Sequence, residues 1–347
     1  MSLAEKLIEH IRENGPMTVA DYMGACLYDP EDGYYATRPA IGGANADFLT
    51  APEASQMFGE LIGLWCAHEW DVLGKPAFNW IELGPGRGVL MQDALRATKR
   101  IEGMHAAATV VLVETSPPLR DEQADRVPDA EWESRIEDVA PGPCIIVANE
   151  FFDCLPIRQF IRGEDGWHEK LVGLNEAEKL TFGLSAAIPG PDSDDEIGTV
   201  REIAPGLESI IYDIERRLHE APGRVLIIDY GYVRPEGADT LQALKNHKKV
   251  DPIEAPGEAD LTAHVDFARI AQLAEQAGLA VHGPITQAQF LRALGIELRH
   301  DTLAQANPAH AERLKRELNR LTGADQMGAL FKVICLSSPN LPPPAGF

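Results

Sequence analysis

Residues 81–90 read IELGPGRGVL. Gly84, Gly86 and Gly88 stand between an apolar run, FNWIEL at 78–83, and a run of helical spacing near 88–98. Glycine at a strand-to-helix junction lets the backbone turn tightly and approach a ligand, and free N–H groups at the helix start receive its polar groups. Further strand-like runs lie at 109–113 (TVVLV), near 131–136, at 143–148 (PCIIVA), at 224–228 (RVLII) and at 329–336 (ALFKVICL). Helical patterns fall near 117–126 and 205–220, then at about 264–277, 286–294 and 308–321. Such alternation predicts an α/β fold in which a mostly parallel sheet is covered by helices on both faces.

Spacing separates two cofactor classes. The dinucleotide fingerprint is G-x-G-x-x-G, whereas here the glycines alternate and an acid, Glu82, stands two residues before the first. That acid suits a ligand with a free amino group, such as the methionine end of S-adenosyl-L-methionine. Glu114 ends the next strand, where a carboxylate accepts ribose hydroxyls. Asp138 follows the third strand, where a polar residue facing adenine is expected. Each acid alone reads more readily as a solvated loop carboxylate; three at successive strand ends favour one ligand.

The fourth strand runs into ANEFFDC, residues 148–154. Asn149, Glu150 and Asp153 thus crowd the mouth of a buried strand, with Phe151 and Phe152 between them, and desolvating charge there is costly without a partner. Asp229 and Tyr230 end the fifth strand, where they either line an acceptor pocket or close a turn. Thr50, Pro52, Glu53 and Gln56 read as a lid over the cofactor or as a capped helix start. His247, Lys248 and Lys249 form a basic patch, and His264 opens a helix.

Composition bounds the rest. The 347 residues are 45% hydrophobic and 24% charged, as in ordinary globular chains. No apolar run approaches the ~20 residues of a membrane span. The start, MSLAEKLIEH, lacks a signal-peptide pattern, so a cytoplasmic protein without stable membrane insertion is expected. Ser2 and Glu5 form a capping box, and Thr18 with Asp21 marks a second helix start. A net charge of −23 opposes nucleic-acid binding and permits a basic partner. The five cysteines are scattered, and no His, Cys or acid cluster has metal spacing, so no metal is expected. LYDPEDGYYATRPAIGGANADFLTAPE, ending at Glu53, reads as a long loop, PDSDDE at 191–196 as a solvated one, and the tail SSPNLPPPAGF as frayed.

Seven motifs in order, ADFLTAPEASQMFGELIGLW, IELGPGRGVLMQDALR, LVETSPPLR, ANEFFDCLPIRQF, IIDYGY, PGEADLTAHVDF and MGALFKVICL, together resemble the MidA-like class I methyltransferases. The resemblance runs from about Val19 to Leu336; Ala46, Ala54 and Cys154 depart from the family pattern. It implies a Rossmann-like, seven-stranded sheet with an N-terminal helical extension and lid at 1–75, a core at 76–336 with insertions at about 157–204 and 231–262, and a flexible tail at 337–347. S-adenosyl-L-methionine would be bound by Glu82, Gly84, Gly86, Gly88, Glu114, Asp138, Thr50, Pro52 and Gln56. Asn149, Glu150 and Asp153 would be catalytic, with Phe151, Phe152, Asp229 and Tyr230 at the acceptor. Mitochondrial members of the family are complex I assembly factors that methylate an arginine of a core subunit, so the resemblance implies a protein substrate of that kind. A guanidinium of very high pKa has to be clamped by acceptors that aim one nitrogen. Two other readings stand beside this one: a noncatalytic cofactor-binding assembly factor, and a nicotinamide-dependent oxidoreductase, which the glycine spacing disfavours.

Overall fold

The computed structural model describes residues 1–37, 50–190, 195–234, 237–246 and 248–347. Residues 38–49 of the expected loop, with Ala46, lie outside the described residues, as do 191–194 of the acidic stretch and His247.

Helix α1 (Leu3–Asn14) opens with the Ser2–Glu5 capping box, and Thr18 caps α2 (Val19–Tyr28) through the Asp21 N–H. Their apolar faces do not reach the central sheet. Leu3, Leu7, Val19 and Met23 instead share a core with Ile157, Val172 and Leu261 from the two insertions. Those insertions build a five-stranded sheet, which also takes in Met17–Thr18, and a three-stranded sheet ending in Asp260–Thr262.

The central sheet has eight strands. Seven lie on one path: β1 (Phe78–Leu83), β2 (Ala108–Val113), β3 (Glu131–Glu133), β4 (Cys144–Asn149), β5 (Gly223–Tyr232), β6 (Ala280–Thr286) and β7 (Phe331–Ser337), in spatial order β6-β7-β5-β4-β1-β2-β3. The eighth, Val265–Asp266, pairs in parallel with the end of β5 and adds to the seven strands expected. Neighbours from β5 to β3 are parallel, while β7 is antiparallel to both β5 and β6. Strand order reverses between β1 and β4, and ligands of open α/β sheets bind in the crevice at such a switch point.

Both faces of the sheet are covered. Along β1, Phe78 and Trp80 enter one core with α3 (Gln56–Val72) and α4 (Val89–Thr98), while Ile81 and Leu83 enter the opposite core. Helices α6 (Gly206–Glu220) and α7 (Phe267–Gln276) close that second face; α5 (Pro117–Arg126) follows β2. The period of two leaves Glu82 on the side of Trp80, beneath α3. The capped helix start read at Thr50–Gln56 is broken at Ser55, whose extended backbone separates a short turn, Ala51–Ala54, from α3.

The tail expected to fray is tied down. Trp65 Nε1 donates to the Ala345 carbonyl at 3.0 Å, and the Ala345 N–H donates to Glu69 Oε1 at 2.9 Å. Glu69 is paired at 2.7 Å with the wholly buried Arg224, which also donates to the Pro342 carbonyl.

Candidate active site

Gly84, Gly86 and Gly88 all have positive φ, at 60°, 52° and 78°. A side chain at Gly84 would bring its Cβ to 2.9 Å from Cδ2 of Phe151. The loop is therefore restricted to glycine by backbone conformation at three points and by packing at one. Gln123, fully buried on α5, holds it from behind: its Nε2 donates to the Gly86 carbonyl at 2.6 Å and to Glu114 Oε2 at 3.2 Å. Arg87 reaches across to Glu122 on α5 at 2.7 Å and to Glu53 on the short turn at 3.4 Å.

The loop borders a cavity of about 890 Å³ at the switch point. Glu82 lines it with 3% of its surface exposed, and its Oε2 has no hydrogen-bond partner. Burial pushes its pKa up to about 8, against one opposing bond from the Met91 N–H. A buried carboxylate oxygen without a partner is a costly feature, and a cationic ligand group removes the cost. Glu114 also lines the cavity; its Oε1 accepts from Thr115 and Ser116 N–H at 2.9 and 2.8 Å, and burial raises its pKa.

At the end of β4 the chain turns through Glu150, a non-glycine residue at φ 52°. Glu150 Oε1 accepts from the Ala51 N–H at 3.1 Å and from Asn149 Nδ2 at 3.2 Å, while Asn149 Oδ1, on a residue 7% exposed, has no partner. Burial first, then the charge of Asp153, carries Glu150 to about 8. Asp153 rises to about 6 through burial, opposed by the Tyr230 hydroxyl, which donates to its Oδ2 at 2.5 Å. Thr50, Pro52, Glu53, Asn149, Glu150, Phe151 and Asp153 all face the same cavity.

Six expected site residues do not line the cavity: Gly88 caps the start of α4, and the other five stand elsewhere. Asp138 is exposed, because a 3₁₀ turn at Ile136–Asp138 brings Ile136 to the cavity and turns Asp138 outward. Gln56 starts α3 on its exposed side. Phe152 is buried in the core, edge-on to Phe151. Asp229, 0% exposed, supports the site from beneath: Oδ2 accepts from the N–H groups of Phe151, Phe152 and Asp153 at 3.1, 2.9 and 3.3 Å. Tyr230 touches Asp153 from outside the cavity and packs against His264 and Phe331.

Sequence reasoning missed part of the wall. Tyr28, Tyr35 and Asp260 line the cavity beside Asp153. Tyr28 and Tyr35 lie in or beside a segment of loop-like composition where no periodicity marks a pocket. Asp260 stands inside the PGEADLTAHVDF motif but was assigned no role there. Arg87 was in view within the glycine loop, and only tertiary structure shows its two partners.

A strand-to-helix glycine loop at the switch point, a buried acid beneath it with one unpartnered oxygen, and an acid at the next strand end define a protein that binds S-adenosyl-L-methionine, and similarity to known proteins agrees. The chain matches the model of the S-adenosyl-L-methionine-dependent methyltransferase family Methyltransf_28 over residues 61–285 and belongs to that family. It is 35% identical to protein arginine methyltransferase NDUFAF7, mitochondrial, of Xenopus tropicalis over 391 residues, covering 100% of this chain and 89% of the relative. The Caenorhabditis elegans homolog of that protein is also 35% identical, over 96% of this chain and 86% of its own. A crystal structure from Burkholderia thailandensis with S-adenosyl-homocysteine bound superposes with a TM-score of 0.84 at 25% identity, covering 99% of this chain and 93% of that one. The chain is a methyltransferase that uses S-adenosyl-L-methionine. Among the described residues no helix is long and apolar enough to cross a membrane.

Proposed function

We propose that this class I methyltransferase transfers methyl groups to an arginine of a protein, and that its acceptor is a core subunit of respiratory complex I. The observation that carries the arginine reading is the cluster at the mouth of β4: Asn149, Glu150 and Asp153 share one cavity with the glycine loop and Glu82. The seven-strand path with antiparallel β7 supports the class I assignment. The arginine acceptor draws support from the names of the relatives, and the complex I subunit from the MidA-like resemblance. The five free cysteines suit action in a reducing cytoplasm.

S-adenosyl-L-methionine, when bound, supplies an electrophilic methyl group. Glu82 Oε2 would take its ammonium, the loop at Gly84–Gly88 its methionine portion, and Glu114 its ribose, with Thr50 and Pro52 above. Glu150 and Asn149 Oδ1 accept from the acceptor guanidinium and fix which nitrogen points inward. Phe151, packed on Gly84, helps exclude water. An arginine that exchanges an N–H for an N–CH₃ stays a cation and releases one proton. Glu150, poised near 8 before the cation arrives, ionises as it binds and receives that proton afterwards.

The test is transfer of labelled methyl from S-adenosyl-L-methionine into extract from cells lacking the chain, using wild type, Gly84→Val and Glu150→Gln. One labelled band, carrying methylarginine and made by the wild type alone, is expected. Glu150→Gln should keep S-adenosyl-homocysteine affinity within about twofold. Equal labelling by Glu150→Gln removes the clamp; no labelling by a wild type that binds S-adenosyl-homocysteine leaves a noncatalytic assembly protein.

A further inference from the structure

The far half of the cavity is built by parts of the chain outside the methyltransferase core. Tyr28 ends α2, Tyr35 follows it, and Asp260 comes from the second insertion. The two rings lie with centroids 5.6 Å apart, tilted 35°. Tyr35 Oη donates to Asp260 Oδ1 at 3.1 Å, and Tyr28 Oη donates to the Cys154 carbonyl at 3.0 Å. Ser116 Oγ donates to the Tyr35 carbonyl at 2.8 Å, which fixes this wall to the strand end that carries Glu114. Asp153 and Asp260 stand close enough to both tyrosines for their charge to act on both hydroxyls.

The result is a compartment with carboxylates around it, aromatic walls and one buried amide oxygen, Asn149 Oδ1, without a partner. A guanidinium fits both features: its planar fork meets carboxylate oxygens in the plane, and one face of it stacks on the tyrosine wall. An ammonium fits worse chemically as well as geometrically. Carboxylates stabilise its protonated form, and a protonated amine has no lone pair with which to attack a methyl group.

We propose that Tyr28, Tyr35 and Asp260, with Asn149, Glu150 and Asp153, form a cage that selects a guanidinium over an ammonium side chain. The N-terminal segment is then a specificity element as well as a cover. The inference deepens the arginine reading of the preceding subsection and rests on it for the identity of the acceptor.

The experiment titrates methylguanidinium and methylammonium chlorides into the full-length protein saturated with S-adenosyl-homocysteine, followed by NMR line positions. Wild type should bind methylguanidinium about tenfold more tightly than methylammonium, and Asp260→Asn should lose about tenfold in methylguanidinium affinity. Tyr35→Phe, which removes only the hydroxyl bond to Asp260, should lose less. Each variant should bind S-adenosyl-homocysteine within about twofold of wild type, which separates cage from fold. Equal binding of the two cations, no binding of methylguanidinium, or an Asp260→Asn variant that binds it as wild type does overturns the cage whatever the extract assay gives. Preference for methylguanidinium in a protein that labels no extract protein upholds the cage and overturns only the preceding reading.

Discussion

At the scale of single residues, the site is organised by carboxylates whose surroundings differ. Glu82 has an oxygen with no partner, so its burial is offset only when a cation arrives. Glu82→Gln should weaken S-adenosyl-homocysteine binding by about 10²-fold in calorimetry, because the ammonium loses its counter-charge while the cavity keeps its shape. A loss of less than about threefold would place the amino group elsewhere. Asp229 is the opposite case: it accepts four backbone N–H groups, three from residues 151–153 and one from Tyr230. Asp229→Ala leaves those donors buried, so urea unfolding should show a loss on the order of 3 kcal/mol. Gly84→Val combines a positive φ with a Cβ at 2.9 Å from Phe151, so it should displace the phenyl ring and abolish S-adenosyl-homocysteine binding.

At the scale of elements, the cavity is closed by pieces that no periodic pattern announces. The short turn Ala51–Ala54 is held by Glu150 at its Ala51 N–H and by Arg87 at Glu53, so it is tied to both the turn after β4 and the glycine loop. The C-terminal strap has a similar structural part. Deleting residues 342–347 removes the partner of Trp65, the Pro342 carbonyl that Arg224 Nη2 donates to and the donor to one oxygen of Glu69, leaving a fully buried ion pair short of two hydrogen bonds. Calorimetry should find the truncated chain less stable by on the order of 3 kcal/mol. The proline-rich composition of this tail predicts fraying; the hydrogen bonds that hold it come from residues more than a hundred positions away in sequence. What sequence showed well was the core: runs at 78–83, 109–113 and 143–148 correspond to β1, β2 and β4 to within a residue or so, because buried strands are nearly continuous apolar runs. β6 was missed. Gly283 and Pro284 punctuate it like a loop, yet it lies at the sheet edge, where a proline is tolerated and the register shifts between His282 and Ile285. The candidate site divides in the same way. Residues next to strand ends, Glu82, Glu114 and Asn149 to Asp153, were legible because the fold class fixes where strand ends point. Asp138 was misplaced by one 3₁₀ turn, and Tyr28, Tyr35 and Asp260 depend on how the extension and the insertion meet.

At the scale of the whole molecule, the net charge of −23 sets a background of self-repulsion, and the two most perturbed cavity glutamates add a pH dependence of definite sign. Glu82 and Glu150 each rise from 4.5 to about 8 on folding, mainly because burial penalises the charged form. Between those limits the ligand-free native state holds more protons than the unfolded chain, so stability falls as pH rises. This contribution is fully present below about pH 4.5 and lost as pH passes through about 8. The Tm of the ligand-free protein should therefore decline from pH 5 to pH 8, and the Glu82→Gln, Glu150→Gln double variant should decline less, since its amides do not titrate. Occupancy reverses the sign for Glu82: a ligand ammonium favours the carboxylate, so S-adenosyl-homocysteine should bind with release of a proton at pH 7. Calorimetry in buffers of different ionisation enthalpy measures that release directly. Binding without proton release in the wild type, or with undiminished release in Glu82→Gln, would show that the buried acid beneath the glycine loop is not the group that meets the cofactor's charge.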